Sequence, residues 1–100
     1  MQKQLIASAK EKGFESHIIG KSVEAKYSNK DFYYLWMCEL QKWIREEYGI
    51  DLVILPEHLE KEVGYRCSIE PLNSQSYETS HCYSYEQALE EGLKQALKLI

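Results

Sequence analysis

Proline occurs twice in 100 residues, cysteine three times and glycine five times, and long apolar runs are missing altogether. Each scarcity excludes something. A membrane-spanning helix needs about 20 consecutive apolar residues, so none is expected. The first ten residues contain only Leu5-Ile6-Ala7 as a continuous apolar stretch, too short for the core of a secretory signal. Cys38, Cys67 and Cys82 are odd in number and far apart, which suits the reduced thiols of a cytoplasmic protein and not a disulfide framework. Structural zinc sites repeat paired ligands a few residues apart on tight loops. Here only His81-Cys82 and the distant Cys67 resemble such a set, and adjacent strand residues point to opposite faces, so no metal is expected. Gly13, Gly20, Gly49, Gly64 and Gly92 are scattered and form no loop that could cradle a phosphate. No cofactor is expected either.

What is present is an ordinary globular composition, 44% hydrophobic and 28% charged, in a length that suits one domain with a single core. Charge divides it. Residues 1–30 carry six lysines against Glu11, Glu15 and Glu24, a net +3, whereas residues 31–100 carry six basic against thirteen acidic residues, a net −7. An acidic body is a poor binder of phosphate backbones, whose recognition depends on Lys and Arg. The basic N-terminal part is expected to dock on the acidic body, the alternative being that it reaches an acidic partner.

Along the chain, residues 2–12 form a short helix candidate with Leu5, Ile6 and Ala9 on one side and Gly13 as its stop. Residues 14–28 are irregular, with a short extended piece at Ile18-Ile19 and a turn at Gly20. Residues 29–31 offer caps for a helix over 32–48, ended by Gly49 in a left-handed cap. Tyr33, Trp36, Met37, Leu40 and Ile44 form its main stripe. Phe32, Leu35, Cys38 and Trp43 widen the stripe beyond one face, so this helix needs a second neighbour: the N-terminal helix, covering much of that side through Leu5, Ile6 and Ala9, or another molecule. Residues 50–55 read as an apolar strand ended by Pro56, and residues 57–61 as a charged turn. Residues 62–70 alternate, with Val63, Tyr65, Cys67 and Ile69 inward and Glu62, Gly64, Arg66, Ser68 and Glu70 outward. After a turn over 71–75, residues 76–83 read as a third strand with Tyr77, Thr79, His81 and Tyr83 on one face. Ser84-Tyr85-Glu86-Gln87 has the form of a capping box. It opens a helix over 85–100 whose Ala88, Leu89, Gly92, Leu93, Ala96, Leu97 and Ile100 recur on one face.

Nothing in this order resembles a reaction centre. Cys38 lies in an apolar helical stretch, where a thiol is inert. Cys67 and His81 face one another across paired strands if the alternation holds, but no oxyanion framework accompanies them. Glu46, Glu47, Asp51, Glu57, Glu60 and Glu62 sit at a helix end and in the charged turn, where solvation is the default and a pair with separated pKa values is not built. Eight tyrosines and two tryptophans are dense, yet base-stacking platforms interleave aromatics with Arg and Lys, and only Arg66 is near. Aromatics half buried and half wet suit protein interfaces. Trp43, Phe32, Leu35, Tyr65 and Tyr77 are therefore the candidate partner surface.

The stretch Glu39-Leu40-Gln41-Lys42-Trp43-Ile44-Arg45-Glu46-Glu47-Tyr48-Gly49-Ile50, followed by a Pro-terminated strand, resembles a family of small uncharacterised proteins from gut-bacterial genomes, phages and mobile elements. So does Tyr85-Glu86-Gln87-Ala88-Leu89-Glu90-Glu91-Gly92-Leu93. The resemblance implies a cytoplasmic, prophage-encoded protein and carries over no functional residue. The helix–three strands–helix order also resembles the double-stranded-RNA-binding domain. That domain places lysines at the start of its last helix, where this chain has Glu86, Glu90 and Glu91, so topology is shared without the phosphate contacts.

The expectation is a single α+β domain over residues 1–100. A three-stranded antiparallel sheet is packed by two helices in α-β-β-β-α order, with an additional N-terminal helix. The expected role is non-catalytic: a binding or adaptor protein acting on another protein or on itself, with a nucleic-acid-associated module as the alternative.

Overall fold

The computed structural model describes residues 3–16 and 30–100. The element order is α1 (Lys3–Glu11), α2 (Lys30–Tyr48), β1 (Ile50–Leu59), β2 (Glu62–Pro71), β3 (Tyr77–Glu78) and α3 (Tyr85–Leu97). This is the expected α+β arrangement, with antiparallel strand order β1-β2-β3. The expected extended piece at Ile18-Ile19 and the turn at Gly20 lie outside the described residues.

The core follows from the alternation of the strands. Leu52 opposes Ile69 and Ile54 opposes Cys67 on the inner face of the β1–β2 pair. Both α2 and α3 pack on that face. From α2, Tyr33, Trp36, Met37, Leu40 and Ile44 are buried, the stripe expected of it. From α3, Ala88, Leu89, Gly92, Leu93, Ala96 and Leu97 are buried, and Ile100 is half buried just past the helix end. Gly92 is required by close approach: a Cβ there would run into Cys67 Sγ, so its absence lets α3 settle onto β2. Tyr33 Oη donates to Glu90 Oε2 at 3.0 Å, tying the two helices together.

The start of α3 corrects one detail. Ser84 Oγ accepts from Gln87 N at 3.1 Å as a capping box requires, but Gln87 Oε1 accepts from Tyr83 N, one residue earlier than the motif's usual return bond. Gly49 ends α2 with φ +67°, its N–H donating to Arg45 O at 3.0 Å.

The N-terminal helix docks, though not as expected. Leu5, Ile6 and Ala9 are buried, and α1 packs chiefly against α3. The side chain over Trp43 is Phe14 instead. Gly13, at φ +99°, donates to Lys10 O, and Phe14 N donates to Ala9 O, both at 3.0 Å. These are the two bonds of a Schellman cap. The cap turns the chain back so that Phe14, 4% exposed, meets Trp36 and Trp43 with ring centroids 5.8 and 5.3 Å away.

Strand β1 is longer than its sequence suggests. It runs through Pro56 to Leu59, so the turn shrinks from residues 57–61 to Glu60-Lys61. Tyr65, the register partner of Pro56, exchanges both backbone hydrogen bonds with Cys82 on its other side, at 2.8 Å each. Pro56 therefore stands in a non-hydrogen-bonded pair, and the position of its missing N–H faces the free edge, where proline is tolerated. Leu52, four residues earlier, shares that orientation, and its carbonyl accepts from Gln41 Nε2 at 2.9 Å.

Candidate functional site on the open sheet face

Both helices lie on one side of the sheet, and no described helix covers the other. On that outer face the register places Val53 beside Ser68, Leu55 beside Arg66, and Glu57 beside Gly64. A third segment joins them through an irregularity. Ser68 pairs with Glu78 and Tyr65 with Cys82. Two residues of β2 are thus opposed by three, Thr79, Ser80 and His81. The extra residue is a bulge, and a bulge re-aims the side chains that follow it.

Thr79 still faces inward: it is buried, its N–H donates to Cys67 O, and its Oγ1 accepts from Cys67 N. Past Ser80 the parity flips, so Cys82 is inward and His81 and Tyr83 are outward. The expectation that Tyr77, Thr79, His81 and Tyr83 share a face fails here, and with it any meeting of Cys67 and His81, which lie on opposite sides of the sheet.

His81 instead joins Glu57 and Arg66. Its Nδ1–H donates to Glu57 Oε1 at 2.5 Å, and Arg66 Nε contacts Glu57 Oε2. The His81 ring lies against Gly64, where a Cβ would collide with its Cε1 and Nε2 and with the Cys82 carbonyl oxygen. Tyr83 closes the other side with its ring at 5.4 Å, edge to face. Glu57 is not a solvated turn residue, as its charged neighbours suggest, but a half-buried strand residue. The His81 hydrogen bond, acting first, and the Arg66 charge hold its carboxyl below the ordinary range, against the opposing effect of burial.

A carboxylate holding a histidine is half of a general-base arrangement. The free nitrogen decides against that use: His81 Nε2 is buried, has no hydrogen-bond partner, and faces the Gly64 backbone. It is not placed to take a proton from a solvent-borne substrate. What the cluster does is pin the segment between β3 and α3 to the sheet.

Cys38, Cys67 and Cys82 are free thiols, and burial pushes Cys67 up to about 12. Among the described residues no group of three His, Cys, Asp or Glu side chains could hold a metal ion. No described helix is long and apolar enough to cross a membrane. An open groove of about 560 Å³ between α1 and α3 mixes Glu11 and Glu91 with Lys12, Lys94 and Lys98 and offers no convergent set.

The five aromatic and aliphatic candidates are dispersed. Phe32 is half buried and Leu35 is 45% exposed in the first turns of α2, while Trp43 lies about three turns further along, between Phe14 and Tyr48. Tyr65 is half buried against Tyr85. Tyr77 is exposed opposite Ile69, some 13 Å along β2 from Tyr65. Glu57, Arg66 and His81, each read separately in the sequence, are not brought together there because Pro56 reads as a strand end and the bulge has no residue signature. Gly64 was the available signal, since a lone glycine inside a strand pattern marks a close approach.

Compared with family models, curated proteins and solved structures, the chain matches none.

Proposed function

We propose that the protein is a small non-catalytic binding module and that the uncovered face of its sheet is the surface through which it meets another protein. One observation carries this reading. Packing by described helices on one side of the sheet leaves Val53 and Leu55, at 38% and 39% exposure, on the other face, beside the interlinked side chains of Glu57, Arg66 and His81. Exposed apolar side chains beside an ordered polar cluster suit a recognition surface, because short β-branched and leucine side chains lose little freedom on docking. The nucleic-acid alternative gains nothing from the geometry, since acidic side chains dominate this face and Glu86, Glu90 and Glu91 occupy the start of α3.

A photo-crosslinking amino acid placed at Leu55, and separately at Glu47 on the exposed side of α2, tests the surface in the expressing cell. A discrete adduct from position 55 and none from position 47 is the expected outcome. Adducts from position 47 alone, or from neither, would remove the sheet face from consideration.

A further inference from the structure

We infer that the occupant of the open face is an extended, cationic protein segment that carries a Lys or Arg and aliphatic side chains two residues apart, on the same face of its chain, a conclusion that rests on the binding-module reading above. The charges point to it. Asp51 and Glu70 are direct cross-strand partners, an arrangement of like charges that weakens a sheet. Glu78, opposite Ser68, stands diagonal to Glu70 on the next strand. These three carboxylates lie on β1, β2 and β3 at one end of the face. The neutralising charge is spent elsewhere. Arg66, the one Lys or Arg on the outer face of the described strands, is engaged by Glu57. Arg45, from the end of α2, reaches Asp51 only at 4.0 Å, with both side chains more than half exposed, a pair worth little. A sheet that keeps an opposed Asp–Glu pair beside two exposed aliphatic side chains is complementary to a ligand that supplies the missing cation there.

Spacing fixes the form of that ligand. Val53 follows Asp51 by two residues and Leu55 by four, so a guest cation over Asp51–Glu70 lies about 7 Å from a guest aliphatic over Val53. An extended chain presents same-face side chains at that interval. A phosphate backbone or an acidic peptide would add negative charge where repulsion already exists.

The test uses the full chain, isotopically labelled, titrated with nine-residue peptides Ser-Thr-Xaa-Thr-Val-Thr-Val-Thr-Ser in which Xaa is Lys, Thr or Glu (the Lys-Val, Thr-Val and Glu-Val peptides), so that Xaa and both valines share one face of the extended chain, while backbone amide shifts are followed. The Lys-Val peptide is expected to move the amides of Asp51, Val53, Leu55 and Glu70, and to bind several-fold more weakly at 300 mM than at about 30 mM salt. Replacing both carboxylates (Asp51→Asn with Glu70→Gln) should weaken it about tenfold, two exposed charge pairs converted at 1.4 kcal/mol per decade. Equal shifts from all three peptides would overturn the cationic inference and leave the open-face reading intact. Shifts confined to α1, α2 or α3 would overturn both. No shifts from any peptide would overturn the cationic inference, leaving the crosslinking result to stand by itself.

Discussion

Gly64 lies directly beneath the imidazole of His81, leaving no room for a β-carbon between ring and strand. Alanine is ordinarily the better residue inside a strand, by roughly 0.5–1 kcal/mol. Here Gly64→Ala should instead destabilise by about 1–3 kcal/mol, the usual penalty of overpacking, and should eject His81 from Glu57. A lowered denaturant midpoint together with a changed His81 Hε1 resonance is the expected pair of results. An unchanged resonance would show that the ring does not rest on Gly64.

The same cluster sets an acid limit. The Glu57 carboxyl titrates below its ordinary value of 4.5 in the folded chain. The unfolded state therefore binds the proton first as pH falls. The stabilisation is complete above the ordinary value and is lost as pH drops from there through the lowered folded value. Glu57→Gln should lower the urea midpoint at pH 7 and lower it by less at pH 3. Equal losses at both pH values would remove the carboxylate's charge from the account.

Cys67 produces the opposite dependence at the alkaline end. Burial, with smaller contributions from Cys82 and Glu70, raises its thiol from 9.0 to about 12. Stability from this site is full below pH 9 and declines as pH rises from 9 towards 12, because the unfolded chain loses the proton first. The Cys67→Ala variant should show a shallower decline over that interval, read by denaturant midpoint.

Contact between Gly92 and Cys67 offers a coupled test. Gly92→Ala should destabilise by about 1–3 kcal/mol through collision with the sulfur. Combining it with Cys67→Ala should recover part of that loss, so the two changes will not add. Additive midpoints would show that α3 has slack against β2.

Phe14→Ala removes the cover from Trp36 and Trp43. A loss of about 3–5 kcal/mol is expected for a buried phenylalanine, with tryptophan emission shifted to the red. Unchanged emission would mean that Phe14 is not the residue shielding these rings.

How much of this was legible beforehand varied with the range of the interactions. Local periodicity announced α3 and the stripe of α2 correctly, because amphipathic spacing and caps are properties of neighbouring residues. Strand β2 was read correctly at Tyr65, Cys67 and Ile69 for the same reason, while Val63, expected inside, is 62% exposed beyond the reach of the helices. The length of β1 was misread because Pro56 obstructs only one side of a strand, and which side is free is decided by Tyr65 bonding to Cys82. Ser80 carries no mark of a bulge. Its extra position follows from how β3 meets β2, and the faces of His81 and Tyr83 depend on it. The second cover of α2 was correctly demanded but assigned to Leu5, Ile6 and Ala9, since a cap that swings Phe14 backwards shows itself only in three dimensions.

Proline at position 56 and the Gln41 amide on the Leu52 carbonyl together remove a donor and an acceptor from the long free margin of β1. A visiting strand laid along that margin would forfeit two of its ladder bonds near the middle of the contact. Polymerisation by strand recruitment, the standing hazard of a ten-residue margin, is thereby discouraged.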